Sequence, residues 1–363
     1  MSNSDPQLEL QPLRRRIDEL DGQIVEMLNE RAKVVVDIGK IKRDHEAPIY
    51  TPEREQRVLD QIRRHNRGPL PDSCVEGIWR ELMSGSFALE RPLQIGYLGP
   101  PGSFSHLAAR RKFGASVGYA DVQSIAAVFG DVEAERSDLG LVPIENSSQG
   151  GIGETLDSFV EATVKVYAEV LVGVHHNLLA RCSLEQIKRV YSKPEALSQC
   201  QRWLAARLPK AERIPVGSTS KAVEMTVDEQ GAAAVGSTLA GEIYGVKVLS
   251  EKIEDNPRNV TRFFVISRRS ADATGDDKTA IMFTTTPKVG ALSAVLDVLR
   301  KFGLNLTHID KRPSRMVNWE YYFFVDFEGH QTQDNITKAL DAVRECCLQL
   351  TVLGSFPRAR QVL

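Results

Sequence analysis

No apolar run in the chain approaches the ~20 residues needed to cross a bilayer. Its opening, MSNSDPQLEL, lacks the basic-then-apolar plan of a secretory signal. Neither sign of charge dominates: 46 Lys and Arg stand against 48 Asp and Glu, divided 15 to 17 in residues 1–92 and 31 to 31 in the rest. Without a basic excess, neither nucleic acid nor a membrane surface is an expected partner. Cysteine is sparse, 5 in 363 residues, and shows no Cys-x-x-Cys spacing. That argues for reduced thiols in a cytoplasmic protein rather than a disulfide framework. A Walker loop and a Rossmann glycine fingerprint are both missing, since GGIGET fails on spacing, and no cofactor is expected. His175 and His176 are adjacent in a strand-like run, so they point to opposite faces and one metal would rarely take both. No metal site is expected.

What remains is a soluble globular composition, 42% hydrophobic and 26% charged, in a chain long enough for two or three domains. Residues 8 to about 90 read as helix. Leu13, Ile17, Leu20, Ile24, Leu28, Val35 and Ile38 recur at helical spacing as one apolar stripe. TPERE opens a second helix, with Thr51 able to cap and Pro52 at the first helical position; a third runs from about Ser73 to Leu89. From Leu93 to about Ser267 short apolar strands alternate with helices, the pattern of an α/β sheet. After the polar linker RRSADATGDDK the order strand, helix, strand, strand, helix, strand predicts a small ferredoxin-like α+β sandwich. The predicted divisions are 1–92, 93–268 and 278–357.

Two cations interrupt the apolar stripe. Arg31 and Lys42 are 11 residues apart, within about 20° on one helix face and roughly 16 Å along the axis. Acidic side chains of the same bundle could pair with them, or the site holds a small anion. A helix from 8 to 43 is roughly 50 Å long, whereas a compact domain of ~90 residues has a radius of gyration near 12 Å. It is expected to pack against a second copy in an intertwined dimer, where Arg14 of one chain approaches Arg31 and Lys42 of the other.

In the middle segment small polar residues gather where strands give way to helices: Ser103 and Ser105; Glu145, Asn146, Ser147, Ser148 and Thr155; Ser192 and Gln199; Ser218, Thr219 and Ser220; Ser237 and Thr238. Each alone reads most economically as a helix cap. Gathered in one segment, several beside glycine, they suggest an anion-binding cleft beyond the strand ends. Thr261 and Arg262 stand at the mouth of the apolar strand FFVI.

LRRRIDELDGQIVEMLNERAKVVVDIGKIK, TPERE and SGSFALE resemble the helical chorismate mutase domain. The resemblance implies that Arg14, Arg31 and Lys42 hold the carboxylates and ether oxygen of a dicarboxylate. The Thr51 backbone and Glu55 would take its ring hydroxyl, with Arg54 and Ser86 lining the pocket. Glu90 stands where the best-known members have Gln facing the ether oxygen, and Thr51 replaces Asp. GYLGPPGSFS, LVPIENSSQGGIGETLD, SKPEALSQC, GSTSKA and NPRNVTRFFVIS resemble prephenate dehydratase, a bilobal α/β fold like a type II periplasmic binding protein. That resemblance makes Thr261 catalytic and places Arg262 against a substrate carboxylate. Ser103, Asn146, Ser147, Ser192 and Gln199 would line the site, with Glu145 in proton traffic. GALSAVLDVLRKFGLNLTHIDKRPSR resembles a phenylalanine-sensing ACT domain, implying effector contacts at Gly290, Ala291, Leu292, Asn305 and Arg312. Lys311 stands where members usually carry Ser. In this order the three resemble the bifunctional P-protein family, chorismate mutase/prephenate dehydratase; arogenate dehydratases share the same motifs.

A carboxylate at Glu90 repels charge developing on the ether oxygen, whereas a carboxylic acid donates to it. Mutase activity is therefore expected to fall as pH rises through the Glu90 titration. Glu90→Gln should flatten the pH–rate profile, and an unchanged profile would remove Glu90 from this role.

Overall fold

The computed structural model describes residues 6–314 and 321–363. The first two residues of the strand expected from Trp319 lie outside these. Three helices open the chain: α1 (Pro6–Asp44), α2 (Pro52–His65) and α3 (Asp72–Glu90). Pro52 starts α2, where its missing N–H leaves no hydrogen bond unmade. α1 and α3 approach closely at Gly39, where a Cβ would lie 3.2 Å from the Glu90 Cα. At about 1.5 Å per residue the 39 residues of α1 span about 58 Å, far beyond its shorter partners. Its apolar stripe consequently finds little cover on this chain: Leu13 is 63% exposed, Ile17 56% and Ile24 48%.

The middle segment builds two sheets. The first runs in the order Gly118–Val122, Gln94–Leu98, Leu139–Asn146, Val260–Ser267, Lys165–Gly173, with the short Gly150–Gly151 strand folded back on Leu139–Asn146. The second runs Lys247–Ser250, Asn177–Ala180, Ala232–Gly236, Arg189–Ser192, Glu212–Pro215. The chain leaves the first sheet after Gly173, builds the second, and returns with Val260–Ser267. That strand lies antiparallel between Leu139–Asn146, at the centre of the first sheet, and the outer strand Lys165–Gly173. Periodicity alone could not show this return, because a short apolar run does not reveal its partners. Pro143 has no N–H to give the ladder, and the pairing slips there: Arg262 faces Glu145 while Phe263 faces Pro143, so Leu139–Asn146 carries one extra residue, Ile144.

The C-terminal segment is the βαββαβ unit read from the sequence, its antiparallel sheet ordered Leu306–Pro313, Tyr321–Glu328, Asp277–Thr284, Gln349–Pro357. One face covers its own helices. The other packs on the first sheet of the middle segment, where Phe264 and Ile266 meet Met282, Phe324 and Phe356 in one apolar cluster. The helical segment is fastened differently, by an aromatic plug together with polar contacts such as Arg91–Asp138, Ser116 N–Ser84 and Arg360–Asp60. The Tyr50 ring is buried against Phe87, Phe113 and Tyr167, with centroids 5.9, 5.2 and 5.9 Å away.

An ion network is sealed into the sheet-on-sheet seam. Glu169 is fully buried at its side chain, 2.8 Å from Arg262 and 3.0 Å from Lys278. Burial pushes the Glu169 carboxyl up, but Arg262 and Lys278 outweigh it and hold its pKa below the usual value. A carboxylate depressed on folding stabilises above its unfolded pKa, and that contribution is lost as pH falls through the folded pKa. Glu169→Gln should therefore cost about 3–5 kcal/mol at neutral pH. In urea unfolding the gap to wild type should close as pH drops below the ordinary Glu range, near about 4.3.

Candidate active sites

In the helical segment the structure gathers four of the residues picked from the sequence. Arg31 Nη1 donates to Ser86 Oγ at 2.7 Å, and Ser86 in turn donates to the Leu82 carbonyl one turn back. One helical stretch further along α1, Lys42 Nζ donates to Glu90 Oε2 at 2.8 Å and to the Ile49 carbonyl at 2.9 Å. The two groups assigned to the ether oxygen are thus hydrogen-bonded to each other. The close α1–α3 approach at Gly39 makes that reach possible. Among the described residues Arg31 has a hydroxyl partner and no carboxylate, so its charge stays available to an anion. Thr51 precedes α2 and makes no side-chain cap. Arg54 is exposed, and Arg14 lies on an exposed part of α1, about 25 Å from Arg31.

The second cluster lies where the two sheets of the middle segment meet. Asn146 Nδ2 donates to Thr261 Oγ1 at 2.8 Å and to Asn259 Oδ1 at 2.9 Å. Asn259 Nδ2 donates to Gln199 Oε1 at 3.1 Å, which also sits 2.7 Å from His176 Nε2. Because Gln199 Oε1 accepts from Asn259, it is the carbonyl end, and His176 must carry its proton on Nε2. Burial lowers the His176 pKa, only partly opposed by Gln199 and Glu254, so the imidazole is neutral near pH 7. Its other nitrogen, Nδ1, is buried without a hydrogen-bond partner among the described residues. Among the described residues Thr261 only accepts in this network, so its own proton is unspent there.

Residues 13–91 match the chorismate mutase type II family, and residues 95–271 match prephenate dehydratase. A bifunctional chorismate mutase/prephenate dehydratase from Aquifex aeolicus (strain VF5) is 42% identical over 97% of this chain and 98% of its own length. The chain belongs to the bifunctional chorismate mutase/prephenate dehydratase family. It carries both activities, and its place is in phenylalanine biosynthesis. Among solved structures, prephenate dehydratase from Arthrobacter aurescens in complex with L-Phe superposes with a TM-score of 0.69 at 31% identity, covering 75% of this chain and 92% of that one. A protein described as a novel type of quorum quenching acylase superposes with a TM-score of 0.68 at 27% identity, covering 74% and 98%. The fold by itself therefore does not decide the reaction.

Several residues expected in the dehydratase site are engaged elsewhere, and strand geometry gives the reason. Consecutive side chains on a strand face opposite ways. Thr261 pairs with Asn146 on the cleft face, which turns Arg262 and Glu145 to the back. Arg262, expected against a substrate carboxylate, is placed away from the cleft: it is 8% exposed and ion-paired to Glu169 at 2.8 Å and Asp326 at 2.7 Å. Burial works against its charge, yet Asp326 and Glu169 hold its pKa above the ordinary value. Glu145 likewise faces the C-terminal segment, 3.3 Å from His308, and not the cleft. Ser192 is completely buried and donates to the Val235 carbonyl at 2.7 Å, inside the second sheet. Ser103 caps the helix Phe104–Phe113, accepting from His106 N and donating to the Leu98 carbonyl. Ser147 accepts from Val260 N at 3.0 Å, bracing the segment that enters the strand of Thr261.

In the mutase half, Glu55 is separated from the Arg31–Lys42 cluster. Its Oε2 takes the Tyr50 hydroxyl at 2.8 Å and Lys112 Nζ, from the dehydratase half, at 2.6 Å. In the C-terminal segment Gly290, Ala291 and Leu292 line a cavity of about 390 Å³ with Tyr321 and Phe323. Gly290 needs its glycine, at φ +82°. Asn305 and Arg312 do not line that cavity. Arg312 instead grips Asp157 of the dehydratase half with two hydrogen bonds, 2.7 and 2.8 Å. Two glycines of GGIG serve this same contact: a Cβ on Gly151 would clash with Asp310, and one on Gly153 would lie 2.6 Å from Arg312 Nη1.

Sequence reasoning missed Asn259 and the role of His176. Asn259 stands two residues before Thr261, just ahead of the strand Val260–Ser267, and that spacing was the available signal. Because Asn146 leaves the Thr261 proton free, Asn146→Asp should capture that proton as an acceptor. Dehydratase kcat should fall on the order of 10²-fold with KM little changed, measured by phenylpyruvate formation under saturating prephenate.

Proposed function

We propose that the two clusters act in succession, the helical one converting chorismate to prephenate and the Thr261 cluster converting prephenate to phenylpyruvate, carbon dioxide and water. The first step needs no covalent intermediate. Arg31 and Lys42, with Arg14 from a second copy, hold the carboxylates and ether oxygen and confine the diacid to its reactive conformer. The exposed apolar stripe of α1 supports that second copy, because an intertwined dimer would cover it and bring Arg14 across. Arg54, Ser86, Thr51 and Glu90 complete the pocket.

In the second step the ring hydroxyl departs as the ring carboxylate leaves as carbon dioxide, and the gain is an aromatic ring. The departing oxygen needs a hydrogen-bond donor in the transition state. A threonine hydroxyl is too weak an acid to give up its proton alone, so Thr261 donates a hydrogen bond. The single observation that carries this reading is the unspent Thr261 proton, aimed by Asn146. Gln199, Asn259 and neutral His176 hold the rest of the wall. The C-terminal segment acts as an ACT domain that binds phenylalanine at the Gly290–Leu292 cavity and restrains the dehydratase. The L-Phe complex of the Arthrobacter relative supports this.

Purified protein incubated with chorismate, with prephenate and phenylpyruvate followed separately, tests the whole scheme. Both should appear in turn, and phenylalanine should suppress only the second. Thr261→Ala should let prephenate accumulate, with dehydratase turnover down about 10²- to 10⁴-fold and the mutase rate unchanged. Near-wild-type phenylpyruvate formation by that variant would remove Thr261 from the mechanism, and arogenate in place of prephenate would reveal a different substrate preference.

A further inference from the structure

Two rungs of two different sheets face each other across the seam behind Thr261. In the dehydratase sheet Arg262 is the paired neighbour of Glu145. In the C-terminal sheet Asp326 is the paired neighbour of His308. The contacts run straight across: Arg262 Nη1 to Asp326 Oδ2 at 2.7 Å, and Glu145 Oε2 to His308 Nδ1 at 3.3 Å. Directly in front of the Arg262–Glu145 rung stands the Thr261–Asn146 rung that faces the cleft. The ladder to Leu139–Asn146 slips between Arg262 and Phe263, while the ladder to Lys165–Gly173 runs on without a shift to Val265, so main-chain hydrogen bonds hold the strand's rotation regularly from one side only here. The guanidinium also lies over the Phe264 ring, 4.7 Å from its centroid, and Glu169 holds it from the neighbouring strand.

We infer that Asp326 is a positioning residue for dehydration: through Arg262 it fixes the rotation of the catalytic strand and so the aim of the Thr261 hydroxyl. The C-terminal domain is then a structural part of the dehydratase site as well as a place for an effector. A buried guanidinium cannot drift, because leaving one of its carboxylates uncompensated is costly. A strand residue cannot turn without turning its neighbour. A misplacement of about 1 Å at a reacting group costs on the order of 10²-fold in rate, so loss of one of two anchors should cost roughly tenfold.

The inference rests on Thr261 as the hydrogen-bond donor, and the experiment separates the two. In the full-length protein, Asp326→Asn should lower dehydratase kcat about tenfold with KM within about twofold. The mutase rate of the same preparation should be unchanged, and Asp326→Glu should recover most of the loss. In a Thr261→Ala background Asp326→Asn should cost nothing further, since the aim of an absent hydroxyl no longer matters. If Thr261→Ala depresses kcat while Asp326→Asn does not, the positioning role is overturned and the Thr261 reading stands. If Thr261→Ala leaves kcat at wild type, the Thr261 reading falls first. Equal losses for Asp326→Asn in both backgrounds, or loss of mutase and dehydratase rates together without rescue by Glu, would assign Asp326 to domain stability and overturn the inference.

Discussion

Strand parity at Thr261 and Arg262 organises the dehydratase half. One side chain must enter the cleft and the next must enter the seam. A guanidinium in an apolar seam needs carboxylates, and they come from both sides: Glu169 on the neighbouring strand and Asp326 on the next domain. Lys278 then balances the second acid. The joint between the two domains is therefore an ion network inside an apolar cluster, two cations against two acids, with Arg262 Nη2 left without a hydrogen bond among the described residues, and the Thr261 hydroxyl is one residue away from it.

The helical half obeys a different constraint. Its first helix is too long to be covered by its own partners, so its apolar stripe faces outward, while Arg31 and Lys42 turn toward α3 and are half-buried there. What holds that helix to α3 is the missing side chain of Gly39, which brings Glu90 within reach of Lys42. What holds the helical half to the rest is the Tyr50 plug, supported by Lys112 on Glu55. One buried aromatic and one buried ion pair thus connect a mutase residue to a helix of the dehydratase half.

Much of the architecture was legible because periodicity is a local property. The 3.6-residue stripe marked α1, the alternation of strands and helices marked the two-sheet segment, and the βαββαβ order marked the last. Thr261, Asn146 and Gln199 were picked from the sequence as polar groups near strand ends, and the fold links them through Asn259 into one hydrogen-bonded cluster. Others resembled them and proved to be ordinary architecture. Ser103, Ser218 and Ser237 cap helices, and Ser192 is spent inside a sheet. A cap and a ligand contact use the same residue types in the same positions, so sequence cannot separate them.

Arg262, Glu145 and Arg312 show where local reading stops. Parity in the sequence already placed Arg262 opposite Thr261, but it could not say what that opposite face would meet. By itself the sequence determined the three segments, their periods and the chemical groups available to each. Only the tertiary structure decided that the chain returns to the first sheet at Val260–Ser267 and that the C-terminal sheet lies against its back. The physical reason is that charges are assigned by what packs against them, and packing partners distant in the chain leave no periodic trace in it.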